Sequence, residues 1–127
     1  ITKTLLKLTH RDAIVKIVND STSASITIDI DVDLLKGEET LVGALDVRLS
    51  GVDYGIGTSG GKIVRNSVNV LELPANNHGH FPHQYANDPT QKASDLVVTM
   101  GQGTMVIHLL KVEGYKANFQ PETNGGY

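Results

Sequence analysis

Residues 94–115, SDLVVTMGQGTMVIHLLKVEGY, decide the fold class of this chain. Two runs rich in β-branched and apolar residues flank Gly101-Gln102-Gly103, where glycine at both ends permits the positive φ that a short hairpin loop requires. Both runs carry apolar residues at consecutive positions, which is typical of strands covered on both faces. The sequence therefore predicts a β-hairpin at the core of the protein.

Turn signals divide the rest of the chain into further short apolar runs. Residues 25–33, SITIDIDVD, alternate strictly and predict a strand with isoleucines facing inward and aspartates facing solvent. Glycine-dense residues 51–61 and residues 74–92, which hold three of the four prolines, are predicted to be loops. Because no segment has sustained helical periodicity, we predict about eight strands, at residues 3–8, 13–18, 25–32, 44–49, 62–65, 68–73, 95–100 and 104–112.

This pattern predicts an all-β protein, with a single β-sandwich at residues 1–115 and an extended C-terminal tail at residues 116–127. A jelly-roll and an immunoglobulin-like topology fit equally well, because a strand count does not determine strand order. The tail is polar except for two aromatic residues, and no segment of its own chain is left to pair with it.

The composition of the chain excludes several classes of function. Cysteine is absent from the 127 residues, which removes disulfides, thiolate nucleophiles and cysteine zinc sites. The 11 basic residues are scattered and the formal net charge is -3, so we expect no nucleic-acid-binding or anionic-membrane surface. No apolar run approaches the roughly 20 residues that span a bilayer, so we expect a soluble protein.

Two motifs resemble ligand-binding loops only in part. Residues 55–60 match G-x-G-x-x-G, but a strand-like segment follows where a dinucleotide site requires a helix, which favours a surface loop. Asp29, Asp31 and Asp33 resemble the start of a calcium loop, yet Leu34 stands where such a loop needs glycine. A solvated strand face is the favoured interpretation of these aspartates, and we predict no cofactor.

Three histidines in the predicted 74–92 loop are the lesser candidates for a metal site. His78, His80 and His83 have the spacing H-x-H-x2-H, and neutral imidazoles so placed could ligate a transition metal. The loop offers no carboxylate beyond Asp88 to orient them, so we predict no metal. His108 is expected to be a strand-face or hydrogen-bonded core histidine. No catalytic motif is present, and we predict that the protein is not an enzyme.

Residues 60–73, GGKIVRNSVNVLEL, and the terminal run MVIHLLKVEGY resemble a pattern in small virion structural proteins of tailed bacteriophages. In that family a strand ending in an Arg-Asn turn precedes a strand of the form V-x-V-L-E-L, and a last strand ends in L-x-K-V-x-G-Y. Arg65-Asn66, residues 68–73 and residues 110–115 are the matching positions. The resemblance implies a β-sandwich that is part of the virion in many copies, as a head decoration or a neck or tail component.

We therefore expect a homo-oligomer that binds other virion proteins, namely major capsid, neck or tail proteins, through its loops and tail. The partner-contact candidates are the aromatic residues of these segments: Phe81, Tyr85, Tyr115, Phe119 and Tyr127. A carbohydrate- or receptor-binding module of a phage tail is the alternative, although the chain has no tryptophan for a sugar-stacking platform. An enzyme would require carboxylates or histidines that only the fold brings together.

Overall fold

The computed structural model describes residues 1–34, 45–82 and 95–113. These ranges form seven strands and one π-helical turn, and the predicted all-β, sandwich-like fold is confirmed. The strands are β1 (Thr2–Leu8), β2 (Asp12–Ile28), β3 (Leu45–Ile56), β4 (Gly61–Arg65), β5 (Val68–Leu73), β6 (Asn77–Pro82) and β7 (Leu96–Glu113), and the π-helical turn is Ile30–Leu34.

The central hairpin prediction is wrong, because β7 runs through Gly101-Gln102-Gly103 without reversing. β7 pairs antiparallel with β2 on both sides of these glycines, and the register shifts between Asn19 and Ser23 of β2. β2 is almost as long as β7, so both apolar runs of β7 pair with the same strand and the chain does not need to reverse between them. The glycines therefore form an irregularity opposite a bulge in β2.

β2 likewise joins two segments for which the sequence predicted separate strands. The Asn19–Ser23 cluster forms the bulge and not a turn, and the strand ends at Ile28, so Ile30–Leu34 is a turn rather than strand. Burial changes phase at this point: odd-numbered residues from Ala13 to Asn19 are buried, whereas Ile28 is the buried residue beyond the bulge.

The main sheet has the strand order β1-β2-β7-β3-β6, and β4 and β5 form a hairpin that pairs with the first half of β7. The second half of β7 pairs with β3. Buried side chains from both halves of β7 and from its partner strands belong to one hydrophobic cluster, so the strands share a single core. The cluster includes Val15, Ile17, Leu49, Val52, Ile63, Leu71, Val98, Met105 and Ile107.

Strands occupy part of both segments that the sequence predicted as loops. β3 continues through Gly51 and Gly55, and residues 77–82 form β6, paired with β3 from Gly51↔Pro82 to Ile56↔Asn77. Glycine weakens a strand, but β3 has neighbours on both sides whose backbone hydrogen bonds hold it. The rest of the 74–92 prediction beyond Pro82, and the predicted tail, lie outside the described residues.

The β4–β5 hairpin confirms a local prediction. Asn66 and Ser67 have φ values of 51° and 63°, which is the backbone of a two-residue type I′ turn. Arg65, the last residue of β4, is fully buried and donates a hydrogen bond to the carbonyl of Val47 on β3. The hairpin is therefore tied to the opposite half of the fold by a charged side chain.

Candidate functional site

Three titratable side chains meet on the outer face of the main sheet. Asp53 lies on β3 between two imidazoles: its Oδ1 is 2.5 Å from Nδ1 of His80 on β6, and its Oδ2 is 2.9 Å from Nε2 of His108 on β7. We call these residues the Asp53 cluster.

Strand register explains why the cluster forms. His80 stands directly opposite Asp53 in the β3–β6 ladder, whereas His108 stands opposite Gly51, two residues before Asp53 and on the same face. Gly51 has no side chain, and a Cβ built there would lie 3.7 Å from Cε1 of His80. Glycine thus leaves the surface beside Asp53 open to both rings.

The imidazoles stabilise the charged form of the carboxyl group. The hydrogen bond from His108 lowers the pKa of Asp53 most, and the hydrogen bond from His80 lowers it further, while partial burial acts in the opposite direction. An ionised carboxylate only accepts hydrogen bonds, so the proton of each ring is held on the nitrogen that faces Asp53. The carboxylate therefore connects β6, β3 and β7 through side chains.

Within the part of the chain that the structure describes, no hydrogen bond from a nucleophile to the Asp53 cluster completes a catalytic triad. Ser50, the serine or threonine nearest to Asp53 in sequence, donates its hydrogen bond to the backbone carbonyl of His108 at 3.0 Å and not to an imidazole. The side chain of Asp53 is 47% exposed and that of His80 is 59% exposed, so water competes for these groups. This geometry suits a link between strands better than nucleophile activation.

The structure describes two of the three histidines that the sequence offered as candidate metal ligands. His78 and His80 lie on one face of β6, and both are exposed, while His83 lies outside the described residues. The expectation that no carboxylate other than Asp88 orients the loop is wrong, because strand pairing brings Asp53 to His80. Across residues 1–34, 45–82 and 95–113, no three His, Asp or Glu side chains form a group that could hold a metal ion.

The aspartates that resembled a calcium loop have a structural role. Asp33 accepts hydrogen bonds from the backbone N–H of Asp29 and from Lys3, whose Nζ is 2.5 Å from Oδ2. Asp29 in turn accepts from the N–H of Val32. These contacts close the π-helical turn, so the interpretation as a solvated strand face is wrong for Asp29 and Asp33.

The G-x-G-x-x-G motif is divided between the end of β3 and the turn that leads into β4. The expected strand follows it, so the helix N-terminus required for a pyrophosphate is absent at this position. Gly60 has a φ of +65°, and the backbone N–H of Gly101 donates to its carbonyl at 2.8 Å. The glycines thus shape a turn beside β7.

Of the partner-contact candidates, only Phe81 falls in the described residues; Tyr85, Tyr115, Phe119 and Tyr127 lie outside them. Phe81 is 41% exposed and lies opposite Val52, a buried core residue, on the face of β6 away from His80. It therefore extends the core face of the sheet toward solvent at the edge.

Comparisons with known proteins found no match: no family model, no curated protein and no solved structure is significantly similar to the chain. No helix among the described residues has the length and apolar character needed to cross a membrane.

Sequence reasoning missed Asp53 and did not predict the burial of Arg65. Asp53 is separated from His80 by 27 residues and from His108 by 55. The only available signal was the alternation Gly51, Asp53, Gly55, which would have indicated a strand with one side-chain-poor face.

Proposed function

We propose that this protein is a non-enzymatic structural component of a bacteriophage virion, present in multiple copies as a capsid decoration or as a neck or tail component. Its partners are other copies of itself and other virion proteins. The observation that carries the proposal is the resemblance of residues 60–73 and 110–115 to small phage structural proteins.

The β4–β5 hairpin supports the proposal by giving the resembling residues clear structural roles. Arg65 is the buried cation that connects the hairpin to β3, and Asn66 occupies a left-handed turn position that asparagine tolerates. Val70, Leu71 and Leu73 of the V-x-V-L-E-L strand are buried. These matching residues have structural roles, which fits a structural protein.

The Asp53 cluster also fits a non-enzymatic role. Its carboxylate is engaged by two imidazoles, and the nearby Ser50 hydroxyl is engaged by backbone. Two depressions on the described surface, of about 530 and 150 Å³, are lined by residues outside the cluster. A substrate would therefore have little enclosure at these groups.

Mass spectrometry of particles purified from a phage that encodes this chain tests the proposal. We expect its peptides in intact particles at many copies per genome, and we expect them to remain after washing in high salt. Finding the chain only in the soluble lysate would contradict a virion role. Deleting residues 116–127 should reduce particle binding, and an alanine-substituted tail of the same length serves as the matched control.

A carbohydrate- or receptor-binding role is the second candidate, favoured by the 530 Å³ groove of mixed polar and apolar lining where β4 meets β7. Ser23, Ser59, Lys62, Glu72 and Thr99 line it, and these side chains can pair with sugar hydroxyls. Specific glycan-array binding that is lost in Lys62→Ala would favour this candidate. Loss in Tyr85→Ala alone would place the contact in the segment after β6.

A further inference from the structure

β6 is an exposed edge strand of the main sheet. It lies at the end of the order β1-β2-β7-β3-β6, and within the described residues it pairs only with β3. All six of its residues are exposed, including those on the side of the sheet that faces the core. Little burial therefore holds it in place beyond its ladder with β3 and the His80 to Asp53 hydrogen bond.

The opposite edge of the sheet carries protection that β6 lacks. β1 has Lys3 and Lys7, and its register shifts between Leu5 and Lys7, and both lysines and bulges discourage pairing with another chain. β6, with sequence NHGHFP, has no Lys, Arg, Asp or Glu and keeps an unbroken register with β3. Only Pro82, at its last position, restricts pairing.

The backbone of β6 presents hydrogen-bonding groups on its outer side. The N–H of His78 donates to Oδ1 of its own neighbour Asn77 at 2.9 Å, which indicates that this N–H points away from β3. Because alternate residues of a strand point their amides the same way, the N–H of His80 is directed outward as well. Pro82 continues this series and has no N–H to satisfy.

We propose that β6 pairs antiparallel with β6 of a second copy of this chain about a two-fold axis, which joins the two main sheets into one. This inference rests on the proposed multi-copy role and names the partner in it. A two-fold axis sets a strand antiparallel to itself, and β6, which has no Lys, Arg, Asp or Glu, places none of these charged side chains opposite its own copy. In this arrangement Phe81 of both copies lies on the core side of the joined sheet, where each ring covers the other from solvent.

The oligomeric state of the full chain, measured by light scattering and by sedimentation over a wide concentration range, tests this pairing. We expect a dimer for the unaltered chain and a monomer for Phe81→Lys and for His78→Pro, which removes one outward N–H but leaves the Asp53 cluster intact. Leu6→Lys on β1 is the matched control, since Leu6 is 53% exposed, and it should remain dimeric. Circular dichroism checks that each variant is folded.

A monomeric unaltered chain, or a dimer unaffected by both β6 substitutions, would overturn the inference. Amide hydrogen exchange distinguishes a second copy from a segment of the same chain as the partner of β6. Protection of the His78 and His80 amides that rises with protein concentration supports a second copy. Protection independent of concentration would mean that the chain covers its own edge, which also overturns it. These outcomes are independent of particle composition, because a dimer absent from virions would refute only the virion role.

Discussion

The side chain of Asn19 donates a hydrogen bond of 2.8 Å to the carbonyl of Met100, across the irregularity shared by the two longest strands. Asn19 is 1% exposed, and its Oδ1 accepts from the N–H of Ser21. One amide therefore satisfies backbone groups on both β2 and β7 where their regular ladder is interrupted. The Asn19 side chain therefore links β2 and β7 at the register shift.

Asn19→Ala is expected to lower the free energy of unfolding by about 1–3 kcal/mol, because it leaves the buried carbonyl of Met100 without this donor. Urea denaturation measures the change. The exposed Asn69 on β5 provides the control, and Asn69→Ala should change stability by less than about 0.5 kcal/mol. Equal effects of the two substitutions would show that the Asn19 amide does not stabilise the register shift between β2 and β7.

Arg65→Met should destabilise the protein by about 1–3 kcal/mol, since the buried guanidinium donates to Val47 and makes further interactions. Arg65→Lys should restore only part of the loss, because an ammonium group lacks the planar fork. The measurement is again the unfolding free energy, with Arg11→Met at an exposed position as control. A fully stable Arg65→Met protein would rule out a structural role for this cation.

Gly103→Ala should destabilise the fold by about 2 kcal/mol or more, whereas Gly79→Ala should be tolerated. Gly103 has a φ of +147°, and a Cβ there would lie 2.1 Å from the carbonyl oxygen of Gly55. At Gly79 the nearest atom to an added Cβ is Oη of Tyr54 at 3.5 Å, an ordinary contact. Thermal unfolding of both variants compares them, and similar melting temperatures would contradict the argument.

The Asp53 cluster predicts a dependence of stability on acidic pH. Because hydrogen bonds lower the pKa of Asp53 in the folded protein, its ionised form stabilises the fold above the ordinary aspartate pKa of about 3.9. This contribution is lost as pH falls from that value through the lower folded pKa. Solvent exposure keeps it below about 1 kcal/mol.

Urea midpoints between neutral pH and pH values below the aspartate range test this dependence. Asp53→Asn should lose less stability on acidification than the unaltered protein, because the asparagine does not titrate. Asp12 also has a lowered pKa, from hydrogen bonds with Thr9 and then Lys7, so some acid sensitivity should persist in this variant. Asp20→Asn, at an exposed position, is the control and should follow the unaltered protein.

Local sequence signals predicted the elements whose causes are local. The β4–β5 hairpin follows from turn residues at Asn66 and Ser67, and the inward set of β3 follows from the alternation through Val47 and Leu49. The glycines led to the wrong hairpin prediction, because Gly101 and Gly103 are equally compatible with a turn and with a bulge. Which one forms depends on whether a partner strand is present on both sides.

The sequence by itself determined that this chain is an all-β protein with a β-branched, apolar core, because side-chain period and turn propensity act between near neighbours. Only the tertiary structure decided that residues 96–113 form one long strand and that residues 77–82 form an edge. It also decided that Asp53 meets His80 and His108. These features depend on register between strands distant in sequence, where each backbone hydrogen bond is strong only once the partner strand is in place.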